Sequence, residues 1–185
     1  PYVVHLYMEA YKNKHTDADK TVLDKAYTFI ENNVWLELSD DERQFLATMS
    51  VFSSFNFNQC MKQTFLEEKM CLKLLNSIPL INYDEHTRRY SFNPMFDGFI
   101  LQVLDEMPVD EVTKITLRAA DTNLDDGNYF EAMKLYSHSK EYRKIYQHSI
   151  NFIDIYPYVI KKNKDVFTDI ANHYWDIEKE GHYEF

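Results

Sequence analysis

Apolar positions recur along most of this chain at helical spacing. Val3, Val4, Leu6, Tyr7 and Ala10 follow it, Lys12 to Asp19 breaks it with polar residues, and Val22, Leu23, Ala26, Phe29 and Ile30 resume it. Two helices are expected there. Ser39-Asp40-Asp41-Glu42 has the S-x-x-E form in which a hydroxyl and a later carboxylate satisfy the free amides of a helix start. The next helix should therefore run from Asp40 to about Val51. The turn-rich stretch Ser53 to Asn58 separates it from a short helix carrying Cys60, Met61 and Phe65. A longer helix over Leu66 to Ser77 should follow, stopping before Pro79 because the residue ahead of a proline disfavours helical backbone.

The period changes at Leu80. Leu80, Ile81 and Tyr83, then Arg89-Tyr90-Ser91-Phe92, are two short β-prone runs around the polar turn Asp84-Glu85-His86-Thr87, which predicts one hairpin. Pro94 to Glu106 should form a helix with Met95, Phe96, Phe99, Ile100, Val103 and Leu104 inward. Three helices, a hairpin and a closing helix is the order of a winged helix with the hairpin as its wing.

Met107-Pro108 marks a boundary, and beyond it the pattern predicts Val109 to Asp126 with Gly127 as cap, then Asn128 to Ser137. Further helices are expected at Lys140 to Ile150, about Phe152 to Lys161, and Asp165 to Glu180. Asp126-Gly127-Asn128-Tyr129-Phe130-Glu131 returns loosely as Glu180-Gly181-His182-Tyr183-Glu184-Phe185, an echo expected of stacked helical hairpins. The fold class read from the pattern is mainly α: a winged-helix domain over 20–107 with a small β-hairpin wing, followed by antiparallel, tetratricopeptide-like (TPR-like) helical-hairpin repeats over 108–185.

Composition agrees with helices. Only 3 Gly and 5 Pro occur among 185 residues, fewer than a strand-rich fold with many turns would use. The 45% apolar and 27% charged fractions suit a folded core rather than disorder. A net charge of −10 repels nucleic acid unless a local patch overrides it. Across Asn58 to Phe92, Lys62, Lys69, Lys73, Arg88 and Arg89 are nearly balanced by Glu67, Glu68, Asp84 and Glu85, so packing against protein is favoured over DNA contact. Arg88 and Arg89 on the expected wing keep the DNA alternative open. No apolar run is long enough to span a bilayer and the first residues lack signal-peptide features, so a soluble, cytoplasmic protein without membrane contact is expected. The opening Pro-Tyr-Val-Val-His-Leu-Tyr reads as mid-helix, and further sequence is expected on both sides.

Candidate chemistry is sparse. The 7 histidines lack the i, i+4 spacing that puts two imidazoles on one helical face for zinc. Asp40/Asp41, Glu67/Glu68 and Asp125/Asp126 are neighbours that point apart on a helix and suit its ends. Neither GxxxxGK[ST] nor GxGxxG is present, so no phosphate cradle is expected, and Cys60 and Cys71 read as small core residues. No enzymatic activity, metal or cofactor is expected of the chain itself. Tyr136, Tyr142 and Tyr146, with Phe152, Tyr156 and Tyr158, could line a partner or effector groove, although helical repeats commonly bury aromatics at such spacing.

Three ordered motifs carry a resemblance. Glu42-Arg43-Gln44-Phe45-Leu46-Ala47-Thr48-Met49-Ser50-Val51 resembles a helix of the winged-helix domain in MalT-like regulators, the ATP-dependent LuxR-family transcription factors of the STAND class. Arg89 to Ile100 resembles their wing-to-helix segment, and Leu117-Arg118-Ala119-Ala120 through Gly127 to Ala132 is similar to the opening of their helical arm. The resemblance implies that residues 1–19 are the tail of a preceding P-loop NTPase module. It also implies ATP or ADP as a cofactor of the parent protein, a sensor arm for a small-molecule or protein effector, and promoter DNA bound by a C-terminal helix-turn-helix outside this chain.

In related switch ATPases a histidine at the position of Asn93 faces bound ADP. Asn93 could donate a hydrogen bond to a phosphate without becoming cationic, or it could cap the helix opened by Pro94. Both uses stay open. The expected role is a non-catalytic regulatory segment coupling nucleotide state to effector sensing. The alternatives are a free-standing helical interaction scaffold and a winged helix that contacts DNA directly.

Overall fold

A computed structural model describes residues 17–78, 80–148, 152, 157, 161 and 164–180. Mainly helical, the described residues also form one small two-stranded antiparallel sheet, and they fall into two compact units that divide between Met107 and Pro108. The predicted helix at Val3 to Ala10, most of the predicted helix at Phe152 to Lys161, and the echo beyond Glu180 lie outside the described residues.

In the first unit α1 spans Asp17–Asn33, so it begins inside the stretch read as a polar break. Asp17 and Asp19 therefore lie within α1 rather than in a break before it. A 3₁₀ turn at Trp35–Glu37 follows, and Arg43 clamps it by donating from Nε to the Trp35 carbonyl at 3.1 Å. Helix α2 spans Asp40–Met49. Its Ser39 hydroxyl accepts from the Glu42 amide at 3.3 Å, and the Glu42 carboxylate accepts from the Ser39 amide at 2.9 Å. Helix α3, Phe57–Thr64, starts by the same device in other letters: the Asn56 and Gln59 side chains each accept from the other's backbone amide. Helix α4 spans Glu68–Ser77.

The hairpin pairs β1 (Ile81–Asp84) with β2 (Arg89–Phe92), Ile81 opposite Phe92 and Asp84 opposite Arg89. Its tip is tightened by Asp84, whose carboxylate accepts from the His86 amide at 2.8 Å and the Thr87 hydroxyl at 2.9 Å. On the other edge of β2, Phe55 exchanges two backbone hydrogen bonds with Tyr90, at 2.9 and 2.7 Å. One residue between α2 and α3 thus acts as a third strand. Helix α5, Pro94–Glu106, closes the unit.

Aromatic rings bind these elements into one core. Phe55 lies 5.7 Å from Tyr90 and 5.8 Å from Phe92, Phe92 lies 5.9 Å from Phe96, and Phe99 meets Trp35 edge-on at 5.6 Å. Burial of each of the Phe rings contributes on the order of 2–3 kcal/mol. Phe96, Phe99, Ile100 and Leu104 of α5 face this core as the pattern predicts. Gly98 lets α5 approach α1, since a Cβ there would collide with the Tyr27 hydroxyl.

The second unit contains α6 (Val109–Asp125), α7 (Tyr129–His138), α8 (Tyr142–Gln147) and α9 (Lys164–Glu180). Helix α7 packs against α6, α8 and α9. Ala120, Ala132, Met133, Tyr136, Ile145 and Ile170 form its buried core, with Phe152 beside them. The small residues Ala120 and Ala132, both fully buried, allow α6 and α7 to lie close. Helix α8 begins two residues later than the pattern suggests, because Lys140 takes a left-handed conformation, φ 58°, within the turn that ends α7.

Candidate functional site

The wing-to-helix segment is fixed by its own backbone. The Asn93 amide donates to the Leu80 carbonyl at 2.9 Å, while its carbonyl accepts from Phe96 at 2.8 Å and Asp97 at 3.1 Å. Asn93 therefore ends the strand pairing and starts α5, with its residue exposed to solvent between buried Phe92 and Phe96. The two sides of the segment are anchored in the core, and the position itself is presented outward. In the next turn the Asp97 carboxyl is raised by desolvation.

Adjacent Arg88 and Arg89 take different roles. Arg88 is exposed and sits at φ 55° in the hairpin turn. Arg89 turns inward, donating from Nε to the Ser54 hydroxyl at 2.9 Å and through a terminal nitrogen to the Ser54 carbonyl at 2.6 Å. It also reaches Gln59 Oε1 at 3.3 Å. This guanidinium staples the hairpin to the start of α3, beside the Phe55–Tyr90 pairing. The left-handed turn at Arg88 and the strand that begins at Arg89 give the neighbours different surroundings, which a reading of local charge alone overlooks.

Of Tyr136, Tyr142 and Tyr146 in the second unit, the first two are hydrogen-bonded to carboxylates and the third to a backbone carbonyl. Tyr136 donates to Asp121 Oδ1 at 2.6 Å, and the Lys144 ammonium bonds the same oxygen at 2.5 Å. Tyr142 donates to Asp169 Oδ2 at 2.5 Å, joined there by the Ser137 hydroxyl at 2.9 Å. Tyr146 donates to the Ile170 carbonyl at 3.0 Å. Helix α9 is thus tied to α7 and α8 by hydroxyls, and the His173 ring stacks on Tyr142 at 4.2 Å.

Desolvation, then the Asp169 carboxylate, pushes the Tyr142 phenol up to about 12. Desolvation and Asp121 raise Tyr136 as well. Such phenols stay neutral donors and are unsuited to act as nucleophiles at ordinary pH. Tyr136 is fully buried and Tyr142 nearly so, so their rings fill the space between helices and Tyr146 alone of the three is half-exposed. Ser54, Gln59, Asp121 and Asp169 complete these arrangements and escaped the sequence reading, because each lies far along the chain from the group it meets.

Among the described residues no cluster of three or more His, Cys, Asp or Glu is placed to hold a metal ion, and no helix is long and apolar enough to cross a membrane. The outward face of α4 mixes Lys69 and Lys73 with exposed Met70 and Leu72 and acidic Glu68. That mixture lacks the continuous basic stripe that tracks a phosphate backbone. No protein-family model matches the chain, and no curated protein is significantly similar to it.

Proposed function

We propose that this chain is a non-catalytic regulatory segment of a signal-responsive LuxR-type transcription regulator of the MalT-like class, coupling a nucleotide-binding module to an effector-sensing helical arm. The observation that carries the reading is the placement of β2 between Phe55 and β1. A single-residue strand between the first two of three helices, paired to the far strand of a following hairpin, is how a winged helix closes. Helix α5 then leads directly into a unit whose α6 and α7 pack together across a Gly127 turn, as TPR-like repeats do.

In this reading the chain performs no reaction of its own and works in the cytoplasm. The NTPase module and the rest of the arm belong to the same parent chain, as does the promoter-binding helix-turn-helix, and ATP or ADP is the parent's cofactor. Asn93 is the proposed contact to the nucleotide module, supported by its exposure on a backbone hydrogen-bonded on both sides. An amide there supplies a neutral hydrogen bond, weaker than a histidine's and insensitive to pH.

The test is ADP retention by the full-length parent carrying Asn93→His or Asn93→Ala. Histidine should slow ADP release and alanine should accelerate it, each by a few-fold. Unchanged release in both variants removes the nucleotide contact, and a parent lacking a P-loop upstream removes the whole reading in favour of an interaction scaffold. The alternative reading, direct DNA contact through the exposed Lys69 and Lys73 of α4 with Arg88, has no continuous basic stripe behind it. It requires salt-dependent duplex binding by this chain, and a low-salt gel shift with no complex eliminates it.

A further inference from the structure

We propose that the outer edge of β1 is a docking site for an extended peptide that adds to the hairpin as an antiparallel strand and carries basic residues just before an aromatic one. The open edge of a short strand is ordinarily left to water. Here outward hydrogen-bonding groups and an exposed ring coincide at Tyr83. Phe55 exchanges two backbone hydrogen bonds with Tyr90, so the Tyr90 amide and carbonyl turn away from β1. Tyr83 lies directly opposite Tyr90, in a pair that is therefore not hydrogen-bonded, and its own amide and carbonyl turn away from β2. Leu80, at the alternate phase of the pairing, accepts from the Asn93 amide, as that geometry requires. Among the described residues no strand pairs with the outer edge of β1.

Neighbouring side chains set what the added strand must bring. Phe55, Tyr90 and Tyr83 stand in a row across the strands, with successive ring centroids 5.7 and 4.7 Å apart, and exposure reaches 51% at Tyr83 from 0% at Phe55. A further strand lies about 4.8 Å beyond β1. Its residue opposite Tyr83 exchanges both backbone bonds with it, and an aromatic side chain there extends the row over the exposed ring. In antiparallel pairing the preceding residue meets Asp84, and the one before that meets Glu85. The Thr87 hydroxyl, then the His86 and Thr87 amides, hold the Asp84 carboxyl below its ordinary range, so it stays charged. Arg89, its cross-strand neighbour, directs its donors to Ser54 and Gln59 instead. Asp84 and exposed Glu85 thus put two carboxylates at the end of the open edge, which selects lysine or arginine at both facing positions. A second copy of β1 brings carboxylates of its own on a chain of net charge −10, and is the poorer fit.

The full chain, isotopically labelled for amide NMR, is titrated with a short synthetic peptide rich in threonine and valine, in which two lysines precede a central phenylalanine. The Tyr83 amide should shift and its exchange with solvent should slow by about ten-fold or more, while the amides of Phe55 and Tyr90, already paired, keep their rates. A peptide N-methylated at the phenylalanine cannot donate to the Tyr83 carbonyl and should bind about ten-fold more weakly. Exchanging its two lysines for glutamates should weaken binding by a similar factor, and Tyr83→Ala should weaken it several-fold. The proposal fails if millimolar peptide leaves the Tyr83 amide unmoved, or if the N-methylated or glutamate peptide binds as well as the original. It also fails if Tyr83 becomes protected on raising the chain's own concentration without peptide, which assigns the edge to a second copy. The decisive changes are made in the peptide, so the outcome stands even where a chain variant misfolds.

Discussion

Gly127 and Lys140 hold the same place in two successive turns of the second unit. Both have positive φ, 74° and 58°. In each turn the following amide reaches back to a helix carbonyl at 2.8 Å, Asn128 to Asn123 and Glu141 to Tyr136. Glycine takes this conformation freely, whereas a Cβ in the left-handed region costs about 1 kcal/mol. Lys140 is exposed, so removing its side chain loses no burial. Lys140→Gly should therefore stabilise the second unit by about 0.5–1 kcal/mol and Gly127→Ala should destabilise it by about 1 kcal/mol. Urea unfolding followed by circular dichroism checks both signs. The pair also marks where sequence reasoning stops. Gly127 announces a helix end, but Lys140, Arg88 and Phe65 adopt the same backbone with side chains that ordinarily avoid it, and no local cue reveals them.

At the scale of elements, helix starts were legible where the letters matched a known capping pair. Ser39 and Glu42 mark the start of α2, and the structure has both reciprocal hydrogen bonds. Asn56 and Gln59 make the same arrangement for α3, but a run of turn-forming residues hid it and displaced the expected start. Ser39→Ala and Asn56→Ala should each cost about 1 kcal/mol by thermal or denaturant melting. The larger loss is expected at Asn56, since Gln59 is fully buried and its Oε1 also receives Arg89. The hairpin strands and α5 followed from periodicity to within a residue, whereas the partners of the candidate residues did not. Tyr136 finds Asp121 fifteen residues earlier, and Tyr142 finds Asp169 twenty-seven residues later. Period identifies which face a residue occupies, not which distant group awaits it there.

For the whole molecule, burial of phenols sets a response to alkali. Tyr27, Tyr90, Tyr136 and Tyr142 are all raised, in each case first by desolvation. An unfolded phenol ionises near pH 10 while the folded ones hold their protons longer, so above that pH the unfolded state binds fewer protons and stability falls. The contribution is complete below about pH 10. For Tyr142 it is lost as pH rises through about 12. Urea midpoints should fall steadily from pH 9 upward, and Tyr142→Phe should flatten that decline while lowering the midpoint at neutral pH through loss of the Asp169 bond.

The pairing of Phe55 with Tyr90 also governs the order in which structure can be acquired. Arg89 and Ser54 beside it are 35 residues apart, and that interval contains α3, α4 and β1. Closing so wide a loop removes chain entropy before any contact offsets it. The α6–α7–α8 turns, in contrast, are closed by amides reaching carbonyls five residues back. On refolding, the second unit's helical turns should form early. The three-stranded junction at Phe55 should form late, as a step that commits the first unit to its native topology.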